Sequence, residues 1–470
     1  MGALLLLSLL VPCLYFARLA PHPRRPPCIS GWIPFVRAGW RFSTRPSPQG
    51  FIQQAHRTHG DVFTVEMFGR RMTYVFSAEG VDKFFHASAS TVNFVRAVEP
   101  FTYGIFGLHP RQFAGVLHPL LKLLREDLTA GPDASGGPSE LAESTGLAPR
   151  ISRFRVALDD ELQQLRKAQA VAGQSTWHVD GLFAVCGRLM FRASLRALFG
   201  EAFATHCNRD DHLYRTFCTF DEWFEMAAAS IPQWLLPRFG AARRELLRCM
   251  RRGRLLLDDT APMARLLAQL NADESLQVSV MLTMLWASSS NTMQSAGWLV
   301  AHIAAAREEP HTADEAYVWN AVVETLRLIS SGMAVRLLLR PLSVGEWTLP
   351  AGDYLCISPW LNHRRGDVDA QRFRASRFQG AADKTAIFRG RQRALQTFGG
   401  GAYRCPGQVF ALHELVTFAQ MFFEQFCRVR LLSVNSQVPP CDDWRLVGVK
   451  RPLHDVAAEL CWRTADPTGG

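Results

Sequence analysis

Hydrophobic residues recur along most of this chain at the three- and four-residue spacing that is typical of helices with one buried face. This spacing predicts a helix at residues 51–59 and mainly helical structure from about residue 113 to residue 330. The Gly-, Pro- and Ser-rich stretch Gly131–Pro138 interrupts that region and indicates a surface loop. A last helix is predicted at residues 406–428.

Strands are predicted where apolar and polar residues alternate. The segment Asp61–Phe76 alternates in two halves around Gly69 and indicates a β-hairpin. Short strand-like segments return after Arg336. They are Trp347–Leu349, Tyr354–Ser358 and, at the end of the chain, Val447–Arg463. The whole pattern predicts a mainly α fold with small peripheral β-sheets.

The N-terminus carries the apolar run Ala3–Phe16, followed by Arg18 and a Pro-rich segment. The run is shorter than the roughly 20 residues that cross a bilayer, but flanking side chains that reach the interface can absorb such a shortfall. The positive residues follow the run and none precedes it, which favours a membrane anchor over a cleaved signal peptide. We therefore predict an anchor at residues 1–20, a stiff linker at 21–35 and a cytosolic domain at 36–470.

The composition indicates a large hydrophobic core and a basic surface. The chain has 470 residues, 48% of them hydrophobic, and a net charge of +10 at pH 7. The positive charge is spread along the chain without a nucleic-acid-binding motif, so we expect a membrane surface and an acidic protein partner, and no nucleic acid. The 11 Cys residues form no CxxC pair, which indicates mostly reduced core residues.

One cysteine stands in an unusual setting, the segment Phe398–Gly407, which we call the cysteine loop. Three consecutive Gly residues precede Cys405 and allow the backbone to approach a flat ligand closely. Cys405 and Pro406 open an apolar helical pattern, and free N–H groups at a helix start favour a thiolate. Phe398 can shield that sulfur from water, and Gly407 lets the helix lie against a macrocycle. The competing interpretation is a structural cysteine at a glycine-rich turn.

The pattern F-x-x-G-x-x-x-C-x-G, formed here by Phe398, Gly401, Cys405 and Gly407, resembles the haem loop of the cytochrome P-450 superfamily. The resemblance implies a P-450 fold and a haem-thiolate catalytic domain at residues 36–470. It also implies that haem b binds with the Cys405 thiolate as its axial ligand. A thiolate ligand pushes electron density onto the iron and favours O–O cleavage.

A second motif of that superfamily, E-x-x-R, is matched by Glu324 and Arg327, which share one face of a predicted helix. The resemblance implies that Arg377, in a later loop, completes a buried charge network that supports the haem loop. In that loop Ala375 and Ser376 replace the usual Pro and Glu, so this match is partial.

Haem propionates need cationic partners, and the resemblance points to three places. Arg336 follows the E-x-x-R motif at the expected spacing, and Arg404 adjoins the cysteine. The family more often places the second cation one residue earlier, where this chain has Tyr403. His118 and Lys122 stand where the family has W-x-x-x-R, although an ordinary exposed helix face explains that pair equally well.

A long apolar helix is predicted at Leu276–Ala306, with small polar residues at its centre. Such residues are costly unless they are hydrogen-bonded within the helix or face a cavity. In the superfamily this place holds an acid–alcohol pair that relays protons, and here the pair is Ser290 and Asn291. Gln294 stands where related helices have Pro. The L-W-A-S-x-x-N pattern resembles the clan of sterol 7α- and 12α-hydroxylases and prostacyclin synthase.

Within that clan the chain resembles the oxysterol 7α-hydroxylases of family 39. The segments that carry this resemblance are Arg24–Pro34, Gly60–Val65, Arg71–Val75, Val323–Leu328 and Leu446–Val449. The resemblance implies 7α-hydroxylation of 24-hydroxycholesterol or a related oxysterol, in bile acid synthesis and cholesterol catabolism. It also implies electrons from NADPH through NADPH–cytochrome P-450 reductase, at the endoplasmic reticulum membrane.

Two alternatives remain open at this point. One is a haem-thiolate isomerase similar to prostacyclin synthase, which needs no reductase; the other is a sterol-binding haem protein without catalysis. In each case the substrate cavity is expected beside residues 94–106, the Ser290 helix and the loop after Arg327.

One spacing departs from the superfamily. About fifteen residues separate the Ser290 helix from the Glu324 helix, where the superfamily has further helices. A genuine deletion would threaten folding and reductase docking, so we predict that the message holds a segment that this sequence lacks. Sequencing transcripts across codons 300–325 should reveal it, whereas an uninterrupted message that matches this chain would refute the prediction.

Overall fold

The computed structural model describes the chain from residue 24 to residue 463 with several gaps. The described ranges are 24–44, 47–109, 111–113, 115–116, 121–122, 146–171, 175–229, 231–270, 273–306, 314–365, 369–381, 384, 386–388 and 395–463. The predicted anchor at 1–20, the first three residues of the linker at 21–35, and the predicted loop Gly131–Pro138 lie outside the described residues. Among the described residues, no helix combines the length and the apolar character needed to span a membrane.

Helices dominate the described chain, as the sequence predicted. Their bounds are Gly39–Phe42, Pro48–His59, Ala78–His86, Phe94–Phe106, Leu147–Val171, Leu182–Phe199, Glu201–Cys207, His212–Glu222, Phe224–Ala228, Pro237–Gly253, Pro262–Leu270, Glu274–Ala305, Glu315–Leu328, Pro359–Asn362 and Gln408–Gln425. We call Glu274–Ala305 the central helix, Glu315–Leu328 the ExxR helix and Gln408–Gln425 the cysteine helix.

Three small sheets accompany the helices. Their strands are β1 (Cys28–Ile29), β2 (Val62–Met67), β3 (Arg70–Val75), β4 (Val92–Asn93), β5 (Thr176–Val179), β6 (Ala334–Leu338), β7 (Leu342–Val344), β8 (Trp347–Leu349), β9 (Tyr354–Ile357), β10 (Phe426–Leu431) and β11 (Ala458–Trp462). The largest sheet has the order β1-β2-β3-β9-β6-β4, and the others are β10-β11-β5 and β7-β8. The predicted mainly α fold with small sheets is therefore confirmed.

The predicted hairpin is confirmed in detail. Strands β2 and β3 pair antiparallel, with Val62 opposite Val75 and Met67 opposite Arg70. The two turn residues, Phe68 and Gly69, have φ values of 51° and 72°. Two consecutive positive φ angles match the tight turn whose twist suits a hairpin, and Gly69 adopts such an angle without strain.

Two predictions near the end of the chain were wrong in extent. The cysteine helix stops at Gln425 and the chain continues as β10, whereas the sequence predicted one helix to residue 428. Only Ala458–Trp462 of the predicted strand Val447–Arg463 is a strand. The sequence also missed β5, because that strand exists only by pairing with β11, far along the chain.

The core lies where the central helix packs against the helix Leu182–Phe199, the ExxR helix and the cysteine helix. The Trp298 side chain is 1% exposed and meets the Phe183 ring edge to face, with ring centroids 5.0 Å apart. Its Nε1 donates to the carbonyl oxygen of Lys450 at 2.8 Å. One large side chain thus fills the core and satisfies its polar atom.

Gly297 allows the central helix to approach the helix Leu182–Phe199 closely, because a Cβ at that position would lie 2.5 Å from a carbon of the Phe183 ring. We expect Gly297→Ala to lower the free energy of unfolding by about 1–3 kcal/mol through overpacking. Urea titration followed by far-ultraviolet circular dichroism measures the effect.

The matched control is Gly240→Ala, also within a helix, where the nearest atom to a new Cβ is the flexible end of Arg244 at 3.4 Å. That variant should keep or raise stability, by up to about 1 kcal/mol, because alanine favours the helix. Equal destabilisation of the two variants would contradict the packing argument.

Candidate haem-binding site

The cysteine loop is a compact turn whose backbone positions Cys405. The N–H of Cys405 donates to the carbonyl oxygen of Phe398 at 2.9 Å, and the cysteine helix begins three residues later. Burial raises the pKa of the Cys405 thiol, while a hydrogen bond from the backbone N–H of Gly407 to the sulfur lowers it. That N–H is the kind of donor that stabilises a thiolate and tunes its strength as a ligand.

A pocket of about 300 Å³ opens beside the sulfur. Cys405 is an exposed residue although protein surrounds its thiol, because its side chain borders this pocket. Aromatic and cationic residues share the lining with it, and those that bear on function are Phe94, Phe398, Arg336, Tyr403 and Arg404. The sequence predicted three of these, Phe398, Arg336 and Arg404, as neighbours of a haem group.

Arg336 is a buried cation beside Cys405. It is 5% exposed, and its guanidinium lies over the rings of Phe84, Phe94 and Tyr403, at 4.7, 4.8 and 5.1 Å from their centroids. Its Nη1 donates to the carbonyl oxygen of Val335, whereas its Nε has no partner among the described residues. Burial lowers the pKa of Arg336 to about 10. A carboxylate in this pocket would satisfy the charge, so the residues fit a haem propionate.

The other predicted propionate partners are not equally close to this pocket. Arg404 lines the same pocket, and its buried Nε has no partner among the described residues. Lys122 lies on an exposed surface, although its neighbour Leu121 lines the pocket. His118 lies outside the described residues. Arg336 and Arg404 are thus the cations that the structure brings to the pocket with Cys405.

Gly401, predicted to allow a flat ligand close to the backbone, also makes a close contact within the protein. Its φ is +60°, and a Cβ there would lie 1.9 Å from the carbonyl oxygen of Phe85. A Cβ on Gly400 would lie 2.8 Å from the Phe85 ring. A close approach between the cysteine loop and the helix Ala78–His86 therefore also requires these glycines. The sequence pointed only to the flat ligand, because packing between distant segments is invisible in the sequence.

The E-x-x-R residues form a buried charge network with the third predicted member. Arg327 donates twice to the Glu324 carboxylate, from Nε at 2.7 Å and from Nη2 at 2.9 Å. Arg377 Nε donates to the same carboxylate at 3.2 Å, as does the backbone N–H of Arg374 at 3.1 Å. Glu324 is 0% exposed. The replaced residues Ala375 and Ser376 form a helical turn that still brings Arg377 into contact.

His363 links this network to the cysteine loop. No pattern in the sequence pointed to this histidine. Its Nε2 accepts the N–H of Gln396 at 2.8 Å, so its ring proton lies on Nδ1, within 3.3 Å of the carbonyl oxygen of Arg327. Burial lowers the pKa of His363 to about 3, which keeps the ring neutral. The Ser330 hydroxyl adds a contact to Thr397 at 2.8 Å. The ExxR helix is thereby tied to the residues that precede Phe398.

The central helix presents one open face to its surroundings. Ala287 is exposed, and Thr283, Ser290, Asn291 and Gln294 are half-buried, although the rest of this stretch is mostly buried. Their spacing places them along one side of the helix. The helix continues without a break through Gln294, where related helices have Pro. A face of small and polar side chains within a buried helix suits a ligand cavity.

The hydroxyl groups of this helix divide into two kinds. Thr292 and Ser295 donate to carbonyl oxygens one turn earlier, at 2.6 and 2.8 Å. These two hydroxyl groups are therefore hydrogen-bonded within the helix, which is one of the two possibilities that the sequence leaves open. Ser290 differs, because its Oγ donates to Asp221 Oδ1 at 2.7 Å on another helix. Asn291 Oδ1 accepts the backbone N–H of Val449 at 2.9 Å.

Asp221 lies beside the predicted residue Ser290, and no pattern in the sequence pointed to it. It is 5% exposed on the helix His212–Glu222 and also accepts a hydrogen bond from Trp286 Nε1, at 3.0 Å. Arg451 pairs with its second oxygen. One carboxylate therefore connects three separate segments beside the open face of the central helix.

Comparison with known proteins agrees with this geometry. Residues 306–456 match the family model of cytochrome P450. The chain is similar to 24-hydroxycholesterol 7-alpha-hydroxylase of Mus musculus, at 26% identity over 91% of each chain, and of Homo sapiens, at 24% identity over 91% and 92%. It is also similar to 7-alpha-hydroxycholest-4-en-3-one 12-alpha-hydroxylase of Oryctolagus cuniculus, at 25% identity over 97% of each chain.

The site and the family match agree with each other: residues 306–456 resemble cytochrome P450, and the cysteine loop has the sequence and surroundings of a haem-thiolate site. The superfamily recognised from the sequence is therefore confirmed. The relatives are sterol 7-alpha- and 12-alpha-hydroxylases, among them 24-hydroxycholesterol 7-alpha-hydroxylase and cytochromes P450 of the 7A1 and 7B1 types.

The buried network makes haem retention depend on Glu324. We expect Glu324→Gln to lose most of its haem, because Arg327 and Arg377 then lack a buried counter-charge at a cost of about 3–5 kcal/mol. The ratio of haem to purified protein and the reduced carbon monoxide difference spectrum measure the loss. Glu315→Gln, on the exposed start of the same helix, should bind haem normally. Normal haem content in Glu324→Gln would count against the supporting role of this network.

Proposed function

We propose that this protein is a monooxygenase that hydroxylates a side-chain-oxygenated sterol at the 7α position, with 24-hydroxycholesterol or a related oxysterol as substrate. The observation that carries the proposal is the cysteine loop, which presents Cys405 to a pocket that also holds the buried cation Arg336. The activities after which the relatives are named supply the substrate class. The resemblance to family 39 places the proposed reaction in bile acid synthesis and cholesterol catabolism.

The residues of the pocket suit haem b. Bound haem with a thiolate ligand supplies the activation of dioxygen and the insertion of one oxygen atom into a C–H bond. Cys405 would hold the haem iron through its thiolate, with its sulfur stabilised by the N–H of Gly407 and shielded from water by Phe398. Arg336 and Arg404 would pair with the propionates. The structural members Glu324, Arg327 and Arg377 would hold the loop in place.

Ser290 and Asn291 have the chemistry to handle water and protons at the open face of the central helix. The Ser290 hydroxyl donates to Asp221 Oδ1 at 2.7 Å, so a proton can move along a hydroxyl–carboxylate pair that spans two helices. Asn291 cannot donate a proton as an acid does, but its amide group can hold a water molecule. Their roles in this proposal are a proton relay for Ser290 and a water-positioning role for Asn291.

Electrons would come from NADPH through NADPH–cytochrome P-450 reductase at the endoplasmic reticulum membrane. The net charge of +10 suits an acidic partner surface. Large aromatic side chains exposed on the described surface, Trp32 at 83% and Trp234 at 78%, suit contact with a membrane interface, where tryptophan is enriched. The apolar run Ala3–Phe16 would add the anchor.

The direct test incubates the membrane-bound protein with reductase, NADPH and 24-hydroxycholesterol. We expect the 7α-hydroxylated product, and we expect Cys405→Ser to lose both this activity and the red-shifted Soret band of the reduced carbon monoxide complex, because serine cannot supply the thiolate. Exposed Cys427→Ser is the matched control and should behave like the wild type.

The outcomes separate the alternatives. Product from a different sterol alone would refute the substrate but keep the monooxygenase. Turnover of a prostaglandin endoperoxide without reductase or NADPH would favour an isomerase. Sterol-induced shifts of the Soret band without any product would favour a binding protein.

A further inference from the structure

Three side chains that commonly ligate metals meet on the opposite side of the helix that carries Asp221. His212 begins the helix His212–Glu222, while Glu245 and Cys249 lie one turn apart on the helix Pro237–Gly253. Their ligand atoms all lie within 4.8 Å of one another. We call these three residues the His212 cluster. None of them lines the pocket beside Cys405.

Two of the three distances within the His212 cluster are close to the edges of a zinc coordination tetrahedron, and the third pair, His212 Nε2 and Cys249 Sγ, lies within 4.8 Å. His212 Nε2 lies 3.2 Å from Glu245 Oε1, and Cys249 Sγ lies 3.8 Å from the same oxygen. Zinc bonds of about 2.0–2.1 Å to nitrogen and oxygen and about 2.3 Å to sulfur give tetrahedral edges of about 3.3 and 3.5 Å. Small side-chain rotations are enough to bring all three ligands onto one ion.

The Glu245 carboxylate is oriented for this role. Its Oε2 pairs with Arg248, so Oε1 is directed at His212 and Cys249. A second group that fixes the orientation of a ligand is typical of metal sites.

The cluster is open on one side and closed on the other. The His212 side chain is 51% exposed, which gives an ion access from solvent. On the inner side, buried Cys207 donates to the carbonyl oxygen of Cys249 at 3.7 Å. A surface ion pair explains the contact of His212 with Glu245, and the four-residue spacing on one helix brings the Cys249 thiol to the same carboxylate oxygen.

We propose that His212, Glu245 and Cys249 form a zinc site with water as the fourth ligand. The mixture of imidazole, carboxylate and thiolate is a donor set that Zn²⁺ accepts and that the hard ions Mg²⁺ and Ca²⁺ do not prefer. Coordination displaces the Cys249 thiol proton to solvent. The ion would connect the two helices, which pack together through the stacked rings of Phe220 and Phe239, 4.9 Å apart. It would thus restrain the helix that positions Asp221.

The experiment uses the full haem-loaded protein, stripped of loose metal with a chelator and then dialysed against zinc chloride. Elemental analysis should find one zinc per chain, and zinc K-edge X-ray absorption should give one sulfur at about 2.3 Å with nitrogen or oxygen ligands at about 2.0–2.1 Å. Iron does not contribute at this edge, so the readout is independent of haem chemistry.

Two variants remove single ligands, His212→Gln and Cys249→Ser, and each should retain less than a tenth of the wild-type zinc. Cys427→Ser removes an exposed cysteine outside the cluster and should retain zinc as the wild type does. The haem content and the carbon monoxide difference spectrum of every variant establish that it has folded. The thermal midpoint should rise with zinc in the wild type and in Cys427→Ser only.

Three results would overturn the proposal. They are less than one zinc per wild-type chain after the dialysis, a coordination shell without sulfur, and wild-type zinc retention in folded Cys249→Ser. Because no result depends on sterol turnover, failure here is distinguishable from failure of the proposed oxidation.

Discussion

The carboxylate of Glu324 is completely buried, and an ionised group in that position is stable only when other charges and donors surround it. Arg327 supplies a two-pronged contact, and Arg377 and the N–H of Arg374 supply the rest. Losing any one partner leaves another charge uncompensated in the interior. This requirement holds the ExxR helix and the loop around residues 369–378 in one arrangement, and the haem-binding side of the molecule is built on it.

The same arrangement reaches Cys405 through neutral hydrogen bonds. Arg327 Nη1 donates to the carbonyl oxygen of His363, and His363 accepts the N–H of Gln396. Two residues further along, the carbonyl oxygen of Phe398 accepts the N–H of Cys405. A buried charge network thus sets the position of a thiol whose own contacts are few. The low pKa of His363, about 3, is a consequence of its burial and keeps this link uncharged.

The far side of the central helix is organised by carboxylates from other helices. Asp221 joins Ser290, Trp286 and Arg451, while half-buried Glu225 accepts the N–H groups of Leu446 and Val447 at 3.0 and 2.8 Å. These contacts hold the loop at residues 446–451 against the side of the central helix that carries Ser290 and Asn291. The His212 cluster lies at the start of the helix that carries Asp221. A metal ion bound at that end would therefore also restrain Asp221, near the other end.

The sequence by itself determined the cysteine loop, the E-x-x-R pair, the hairpin turn at Gly69 and the long central helix. Each depends on residues that are near one another in the chain, where spacing and backbone preference decide the structure. Only the tertiary structure decided that Asp221 meets Ser290, that β5 pairs with β11, and that Gly401 is required by Phe85. These contacts join segments far apart in sequence, and such pairings are set by the packing of the whole core, which no local pattern records.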